Sequence, residues 1–241
     1  MNVLFISDLH ISPAQPEIGE QLIAFLSSQA TGADALYILG DLFEAWIGDD
    51  DPDPHYAEVQ NALRRLTDTG VPGFIMHGNR DFLLGERFCA RTGLTLLSDP
   101  LVIDIAGESV LLSHGDAYCT DDTEYQAVRQ TVRNPAWQAQ VLSLPIEARR
   151  QLAGDARAES SASNQQKSDD IMDVNDRAIE DALRAHGVTQ MLHGHTHRPA
   201  IHEWQLDEDK TARRMVLGDW YSQGSVGVWD NSGFALTTLP R

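Results

Sequence analysis

The sequence predicts an α/β fold whose parallel strands are covered on both faces. Three observations carry this. The runs "NVLFIS", "ALYILG" and "GFIMHG" are continuously apolar, the pattern of strands buried on both sides rather than one. Segments of helical period separate them, and strand-helix-strand repetition implies parallel pairing. Residues of metal-binding type come directly after these strands, where open α/β sheets place their ligands.

In chain order, "NVLFIS" is the first strand, and residues 17–29 then set Ile18, Leu22, Phe25 and Leu26 on one helical face. "ALYILG" is the second strand. The next helix carries Tyr56, Val59, Leu63 and Leu66 and stops at Gly70. "GFIMHG" is the third strand, and "LVIDIAGESVLLSH" is a hairpin across Gly107. Residues 121–170 form an insertion of short helices, broken at Pro145 and containing the polar stretch "ESSASNQQKSDD". A helix is expected over 168–186, with Ser168 as N-cap and Asp169 and Asp170 in its first turn. Its apolar stripe runs from Ile171 through Ala178 to Ala182, and Gly187 ends it. "TQMLHG" returns to strand, and strand-like runs lie near 200–206, 214–217, 225–229 and 234–239. The whole reads as one domain over 1–241 with the 121–170 insertion inside it.

Composition sets limits on function. The 241 residues suffice for a sizeable core. A net charge of −18 repels phosphate backbones and argues against a nucleic-acid partner. Cys89 and Cys119 form no disulfide framework and have no metal spacing. The apolar run before Asp8 is too short for a signal-peptide core, so a cytoplasmic location is expected.

The chemistry lies at the carboxyl end of each strand. Asp8 and His10 come after the first, Asp41 after the second and Asn79-Arg80-Asp81 after the third. His114 comes after "VLLS", and His195 and His197 after "QMLHG". A lone Asp after a strand is usually a turn or cap residue. His77 and His193 read as core or supporting residues, Gly218-Asp219 as a turn, and the run Asp49-Asp50-Asp51 as a solvated loop. The recurrence of donors in one structural context is what coincidence does not supply. Asp8, His10, Asp41, Asn79, His114, His195 and His197 exceed what one ion needs, which suggests two ions sharing a carboxylate. Imidazole and oxygen donors without thiolate suit Mn, Fe, Co or Zn better than Mg or Ca.

The ordered motifs "DLH", "GDLFEAWIGD", "GNRDF", "HGD" and "GHTHRP" resemble the calcineurin-like metallophosphoesterase superfamily. "LYILGDLFEAWIGDDD", "HGNRDFLLG", "CTDD", "IMDVN" and "HGHTHRPA" are similar to its UDP-2,3-diacylglucosamine diphosphatase family of lipid A biosynthesis. The resemblance implies an αββα sandwich with a helical insertion. It implies two Mn²⁺ ions and a glycolipid nucleotide substrate, cleaved to UMP and 2,3-diacylglucosamine 1-phosphate by water attacking the α-phosphorus. It also implies peripheral work at the cytoplasmic face of the inner membrane. One ion would take Asp8, His10, Asp41 and His197, and the other Asp41, Asn79, His114 and His195, with Asp41 bridging. Asp41, Asn79, Arg80, His114 and His195 would be the catalytic set. Substrate contacts would fall on Asn79, Arg80, Asp122, Ser160, Asn164, Lys167 and His195, and a monomer is favoured.

One position departs from the wider superfamily, where a histidine often comes after Gly-Asn. Arg80 stands there instead, and it is a poor general acid. This suits a phosphate leaving group, which departs without protonation, while Arg80 holds phosphoryl charge. The competing reading is a surface ion pair with Asp81. In the insertion, Trp137, Val141 and Leu144 share a helical face, and Ile146 and Leu152 continue it. A lid is expected, with this face on the acyl chains and Arg157, Ser160, Asn164 and Lys167 on the polar head. A soluble nucleotide or cyclic-nucleotide phosphoesterase is the alternative enzyme. A retired fold serving as a scaffold is a third reading, and one that should have lost several donors.

Overall fold

Two sheets stack face to face between helices, in a computed structural model that describes residues 1–164, 167 and 171–240. The first sheet holds β1 (Asn2–Ile6), β2 (Ala35–Ile38), β3 (Gly73–Met76), β4 (Thr95–Leu97), β10 (Gly224–Asp230) and β11 (Gly233–Leu239). Its order is β11-β10-β1-β2-β3-β4, parallel from β1 to β4 and antiparallel beyond β1. The second holds β5 (Leu101–Ile105), β6 (Glu108–Ser113), β7 (Gln190–His193), β8 (Ala200–Asp207) and β9 (Lys210–Val216), in the order β5-β6-β7-β9-β8. Here β6, β7 and β9 are parallel, with antiparallel strands on each edge.

The pleat explains the continuous apolar runs. Val3 and Phe5 of β1 join Leu112, Leu192 and Met215 in the space between the sheets. Leu4 and Ile6 turn outward onto α1 (Pro16–Ser28) and α2 (Pro54–Asp68), meeting Ile18, Leu22 and Leu63. Across the molecule, Leu111 and Met191 meet Ile179 and Leu183 of α7 (Asp176–His186). The layer order is therefore helix, sheet, sheet, helix.

Sequence periodicity missed two elements, α3 (Glu86–Thr92) and β4, which are too short to show a period. It also misplaced a helix start. α7 begins at Asp176, and Asn175 caps it by accepting from Ala178 N at 3.2 Å. The expected cap at Ser168, with Asp169 and Asp170, lies outside the described residues. Tertiary ties hold the preceding segment out of the helix. Asn175 N donates to Tyr118 O at 2.8 Å, Val174 is buried, and Asp173 pairs with Arg198 at 2.7 Å.

The segment expected as an insertion of short helices holds α4 (Thr123–Val132), α5 (Pro135–Leu142) and α6 (Ile146–Asn164), the last of which at 19 residues is not short. Its expected apolar face is divided. Val141 is buried in the main core, and Trp137 packs there beside Phe82, so this part docks on the sandwich. Leu144 and Leu152 remain exposed.

The acidic run is not the solvated loop its composition suggested. Asp49 accepts from Gly85 N at 3.1 Å and Phe88 N at 2.9 Å, fixing the start of α3. Asp50 takes both Nη atoms of the buried Arg149, at 2.7 and 2.6 Å, and Arg149 Nη1 also donates to Ile47 O at 2.7 Å. Asp51 pairs with Arg150 at 2.8 Å. The run thus anchors the insertion to the loop after β2.

Candidate metal centre

Each candidate donor leaves the carboxyl end of a strand: Asp8 and His10 after β1, Asp41 after β2, Asn79 after β3, His114 after β6, and His195 and His197 after β7. The backbone there is strained. Asp8, His10, Asp41, His195 and His197 have φ of 57°, 54°, 51°, 67° and 56°. Among the described residues the remaining non-glycine of positive φ is Ala106, in the β5–β6 turn, so this costly conformation is concentrated at the site. Neighbouring loops hold it. Asp8 N donates to Gly40 O at 3.2 Å, His10 N to Asp41 O at 3.0 Å and Gly194 N to His114 O at 2.9 Å. The buried Asp81 carboxylate accepts from Gly78 N at 2.7 Å, Leu42 N at 2.8 Å and Asp41 N at 3.3 Å. Gly78 permits close approach, because a Cβ there would strike the Asp41 carboxylate.

The side chains converge. His10 Nε2 and His197 Nε2 face one another at 3.1 Å, and Asp8 Oδ1 lies 3.5 Å from His197 Nε2. Asp41 Oδ2 stands between His10 Nε2, at 3.7 Å, and His114 Nε2, at 3.8 Å. Asn79 Oδ1 sits 3.0 Å from His114 Nε2 and 2.9 Å from His195 Nδ1. Two three-residue groups therefore place ligand atoms within 4.8 Å of one another: Asp8, His10 and His197, and Asp8, Asp41 and His114.

The electrostatics fit a cation. Asp8 Oδ1 is buried without a hydrogen-bond partner among the described residues, which is costly for a carboxylate oxygen unless positive charge reaches it. Burial opposes ionisation of Asp8, yet His197, His114 and His10 hold its pKa well below the carboxylate range. Burial, with Asp81 and Asp8 adding to it, raises Asp41. Burial also works against charge on His114, but Asp41, Asp8 and Asp116 outweigh it and push its pKa up to about 9. Burial and His114 push His195 down to about 3. The cluster demands positive charge at its centre, and a divalent cation supplies it without a proton. His114 is set for this: its Nδ1 donates to Leu39 O at 2.8 Å, leaving Nε2 to face Asp41 and Asn79.

The remaining candidates lie around this centre. Arg80 N donates to Asp41 Oδ1 at 2.8 Å, and its buried Nε has no hydrogen-bond partner among the described residues. Asp81 is committed to three backbone amides, and no Arg80–Asp81 ion pair occurs among the described residues. Asp122 caps α4 by accepting from Tyr125 N at 3.0 Å, and Lys167 Nζ donates to both its oxygens at 2.8 Å. Arg157 pairs with Glu44, and Ser160 is half-buried on α6. The Asn164 side chain lies outside the described residues. His193 is a buried core residue pushed down to about 4 by burial, and His77 Nε2 meets Leu84 O at 2.7 Å.

Four neighbours are not marked in the sequence. Glu44 meets His10, and Asp219 Oδ2 lies 3.7 Å from His197 Nδ1 while its other oxygen makes the expected turn with Tyr221 N at 3.0 Å. Tyr221 stacks on His10, with centroids 5.3 Å apart, and Tyr125 on His195, at 5.9 Å. An acidic or aromatic residue within a few positions of a ligand strand is the available signal, but it does not reveal direction.

Asp116 is a buried carboxylate whose charge interacts with His114 and His195. It accepts from Tyr125 Oη at 2.6 Å and Arg129 Nε at 2.9 Å, with Arg133 at 3.8 Å. Burial disfavours its charge, but His114, Arg129, His195 and Arg133 hold its pKa well below the ordinary range. That stability is present above the unfolded value of about 3.9 and is lost as pH falls toward the folded one. Asp116→Ala is expected to cost about 3 kcal/mol in urea unfolding at neutral pH, because it strands Arg129 Nε and the Tyr125 hydroxyl. It should also flatten the acid limb of the stability profile below about pH 4. A loss under about 0.5 kcal/mol, the level of an ordinary surface change, would show that the network is not structural.

The family model described as calcineurin-like phosphoesterase matches residues 1–199, which include all seven donors. The chain belongs to the calcineurin-like phosphoesterase family. As a calcineurin-like phosphoesterase, it carries a divalent-metal centre, and the converging side chains fit one. It is 52% identical to a UDP-2,3-diacylglucosamine hydrolase of Stenotrophomonas maltophilia (strain K279a), over 100% of both chains. It is also 52% identical to one of Serratia proteamaculans (strain 568), over 94% of each. A solved archaeal phosphodiesterase aligns at a TM-score of 0.49 with 12% identity, covering 99% of this chain and 100% of that one. No helix among the described residues is long and apolar enough to cross a membrane.

Proposed function

We propose that this chain hydrolyses the pyrophosphate bond of UDP-2,3-diacylglucosamine to UMP and 2,3-diacylglucosamine 1-phosphate. The observation that carries this is end-to-end identity of 52% with a hydrolase named for that substrate. The reading places two Mn²⁺ ions, one on Asp8, His10, Asp41 and His197 and one on Asp41, Asn79, His114 and His195. Divalent cations bound there supply Lewis acidity toward phosphoryl oxygens and lower the pKa of water. The chain's own groups do the rest. Asn79 orients its amide oxygen between His114 and His195. Arg80 holds phosphoryl charge through its guanidinium, whose buried Nε has no hydrogen-bond partner among the described residues. A leaving phosphate, with a second pKa of about 6, needs no general acid, so none has to replace the histidine that Arg80 displaces.

The insertion acts as the lid over 121–170. Arg157, Ser160, Asp122 and Lys167 on it would meet the polar head, with Asn164, whose side chain lies outside the described residues, assigned the same role from the sequence alone. Val128, Leu142, Leu144 and Leu152 are exposed apolar residues that suit acyl chains and peripheral contact with the cytoplasmic face of the inner membrane. Burying one leucine contributes about 1.5–3 kcal/mol. Leu144→Ser with Leu152→Ser should therefore raise KM for the lipid substrate tenfold or more and spare hydrolysis of bis-p-nitrophenyl phosphate. An unchanged lipid KM would remove these residues from acyl recognition.

The function is tested with purified protein, Mn²⁺ and radiolabelled UDP-2,3-diacylglucosamine, with products separated by chromatography. In ¹⁸O-water the solvent oxygen is expected in UMP, the mark of attack at the α-phosphorus. Label confined to the sugar phosphate would reverse the polarity, and no UMP at all would overturn the assignment.

A further inference from the structure

We infer that Glu44 is a positioning residue that couples docking of α6 to the orientation of His10. The inference rests on His10 being an ion ligand, as proposed above, and is independent of the lipid substrate. Glu44 is fixed by its backbone. Ile11 N donates to Leu42 O at 3.0 Å and Glu44 N to Ile11 O at 3.0 Å, so the loops after β1 and β2 are zipped together. This brings the Glu44 carboxylate against the far side of the His10 ring. Oε2 lies 2.6 Å from His10 Nδ1. The approach is short but bent, and neither atom has another hydrogen-bond partner among the described residues, although both are buried. Among the described residues these two buried polar atoms thus have only each other. A carboxylate beside Nδ1 keeps the proton there and leaves the Nε2 lone pair facing Asp41 and Asp8.

The second oxygen does something different. Glu44 Oε1 pairs with Arg157 on α6, a residue more than a hundred positions away in the insertion. One carboxylate therefore holds a ring of the ion cluster with one oxygen and the lid helix with the other. If α6 lifts, Glu44 loses the cation that fixes its rotamer, and His10 loses its brace. If Glu44 is neutralised, the Arg157 charge stands uncompensated beside a site meant for cations. Coupling of this kind is reciprocal, so ion binding must also favour the docked position of α6.

The experiment uses the full chain, with Mn²⁺ itself as the probe. Mn²⁺ binding is measured by titration calorimetry for wild type, Glu44→Gln, Arg157→Ala and the double variant. Hydrogen exchange of α6 peptides is monitored with and without Mn²⁺. Loss of a side chain that braces a ligand typically costs about 10–100-fold in metal affinity, and Glu44→Gln is expected in that range. Arg157→Ala should weaken Mn²⁺ binding less, and should add nothing once residue 44 is changed. In wild type Mn²⁺ should slow exchange in α6, and in the Glu44 variant it should not. Mn²⁺ affinity unchanged in Glu44→Gln, or additive effects of the two substitutions, would overturn the coupling. If Glu44→Gln does not fold, Arg157→Ala alone decides: no change in Mn²⁺ affinity or in the Mn²⁺ effect on α6 rejects the inference. Wild type that binds no Mn²⁺ rejects the ion site itself, whereas absent turnover of the lipid substrate with coupling intact rejects only the substrate assignment.

Discussion

Asp41→Ala is expected to reduce turnover below detection and to lower bound metal at both halves of the centre. It is the one residue assigned to both proposed ions, although Asp8 also comes within reach of both groups of donors. Asp41 Oδ2 lies 3.7 Å from His10 Nε2 and 3.8 Å from His114 Nε2, and Oδ1 takes the Arg80 amide at 2.8 Å. The site also holds buried carboxylates close together, which is why burial, Asp81 and Asp8 raise Asp41. Removing Asp41 relieves that repulsion, so the metal-free variant should not be grossly destabilised. What it loses is the linkage between ion binding and folding. Mn²⁺ should raise the unfolding temperature of wild type, by about 2.7 kcal/mol of stabilisation at a hundredfold excess over Kd, and leave the variant unmoved. Metal content by elemental mass spectrometry and melting curves with and without Mn²⁺ check both statements. A variant that retains full metal at one half would show that the two halves are held independently.

The convergence of the candidate donors was legible because each lies just past a buried strand and the topology gathers strand ends. "DLH", Asp41 and "GHTHRP" needed only the assumption of parallel strands, which β1 to β4 and β6, β7 and β9 satisfy. The supports were not legible, because they depend on partners distant in sequence. Asp50 looked like one of three solvated carboxylates, yet Arg149, 99 positions on, is its partner. Glu44 sits in "GDLFEAW" without periodicity or motif to mark it, and its contacts to His10 and Arg157 come from loop zipping and insertion docking. Ser168 and Asn175 both offer cap chemistry before an apolar stripe. Propensity could not choose between them, and the bond from Asn175 N to Tyr118 O weighs on the choice. The left-handed backbone of five candidate donors is likewise invisible in residues that are not glycine.

Arg80→Ala is expected to lower kcat/KM about 10³-fold or more, the cost of removing an arginine clamp from a transferring phosphoryl group. Metal content should stay at the wild-type level, because Arg80 touches Asp41 through its backbone amide, which alanine keeps. The competing explanation, an ion pair with Asp81, has no footing among the described residues, where the Asp81 carboxylate accepts from the amides of Gly78, Leu42 and Asp41 and forms no ion pair with the Arg80 guanidinium. Arg80 Nε is buried with no hydrogen-bond partner among the described residues, an arrangement that is costly unless an anion completes it. Lysine keeps the charge and loses the planar fork, so Arg80→Lys should fall between wild type and alanine. The leaving group supplies the discriminating readout. If Arg80 stabilises charge, the alanine variant should lose rate on the pyrophosphate and on bis-p-nitrophenyl phosphate alike. If it acted as a general acid, p-nitrophenolate, which departs without protonation, would be spared. An Arg80→Ala enzyme within tenfold of wild type on the pyrophosphate would leave Arg80 no role in the chemistry.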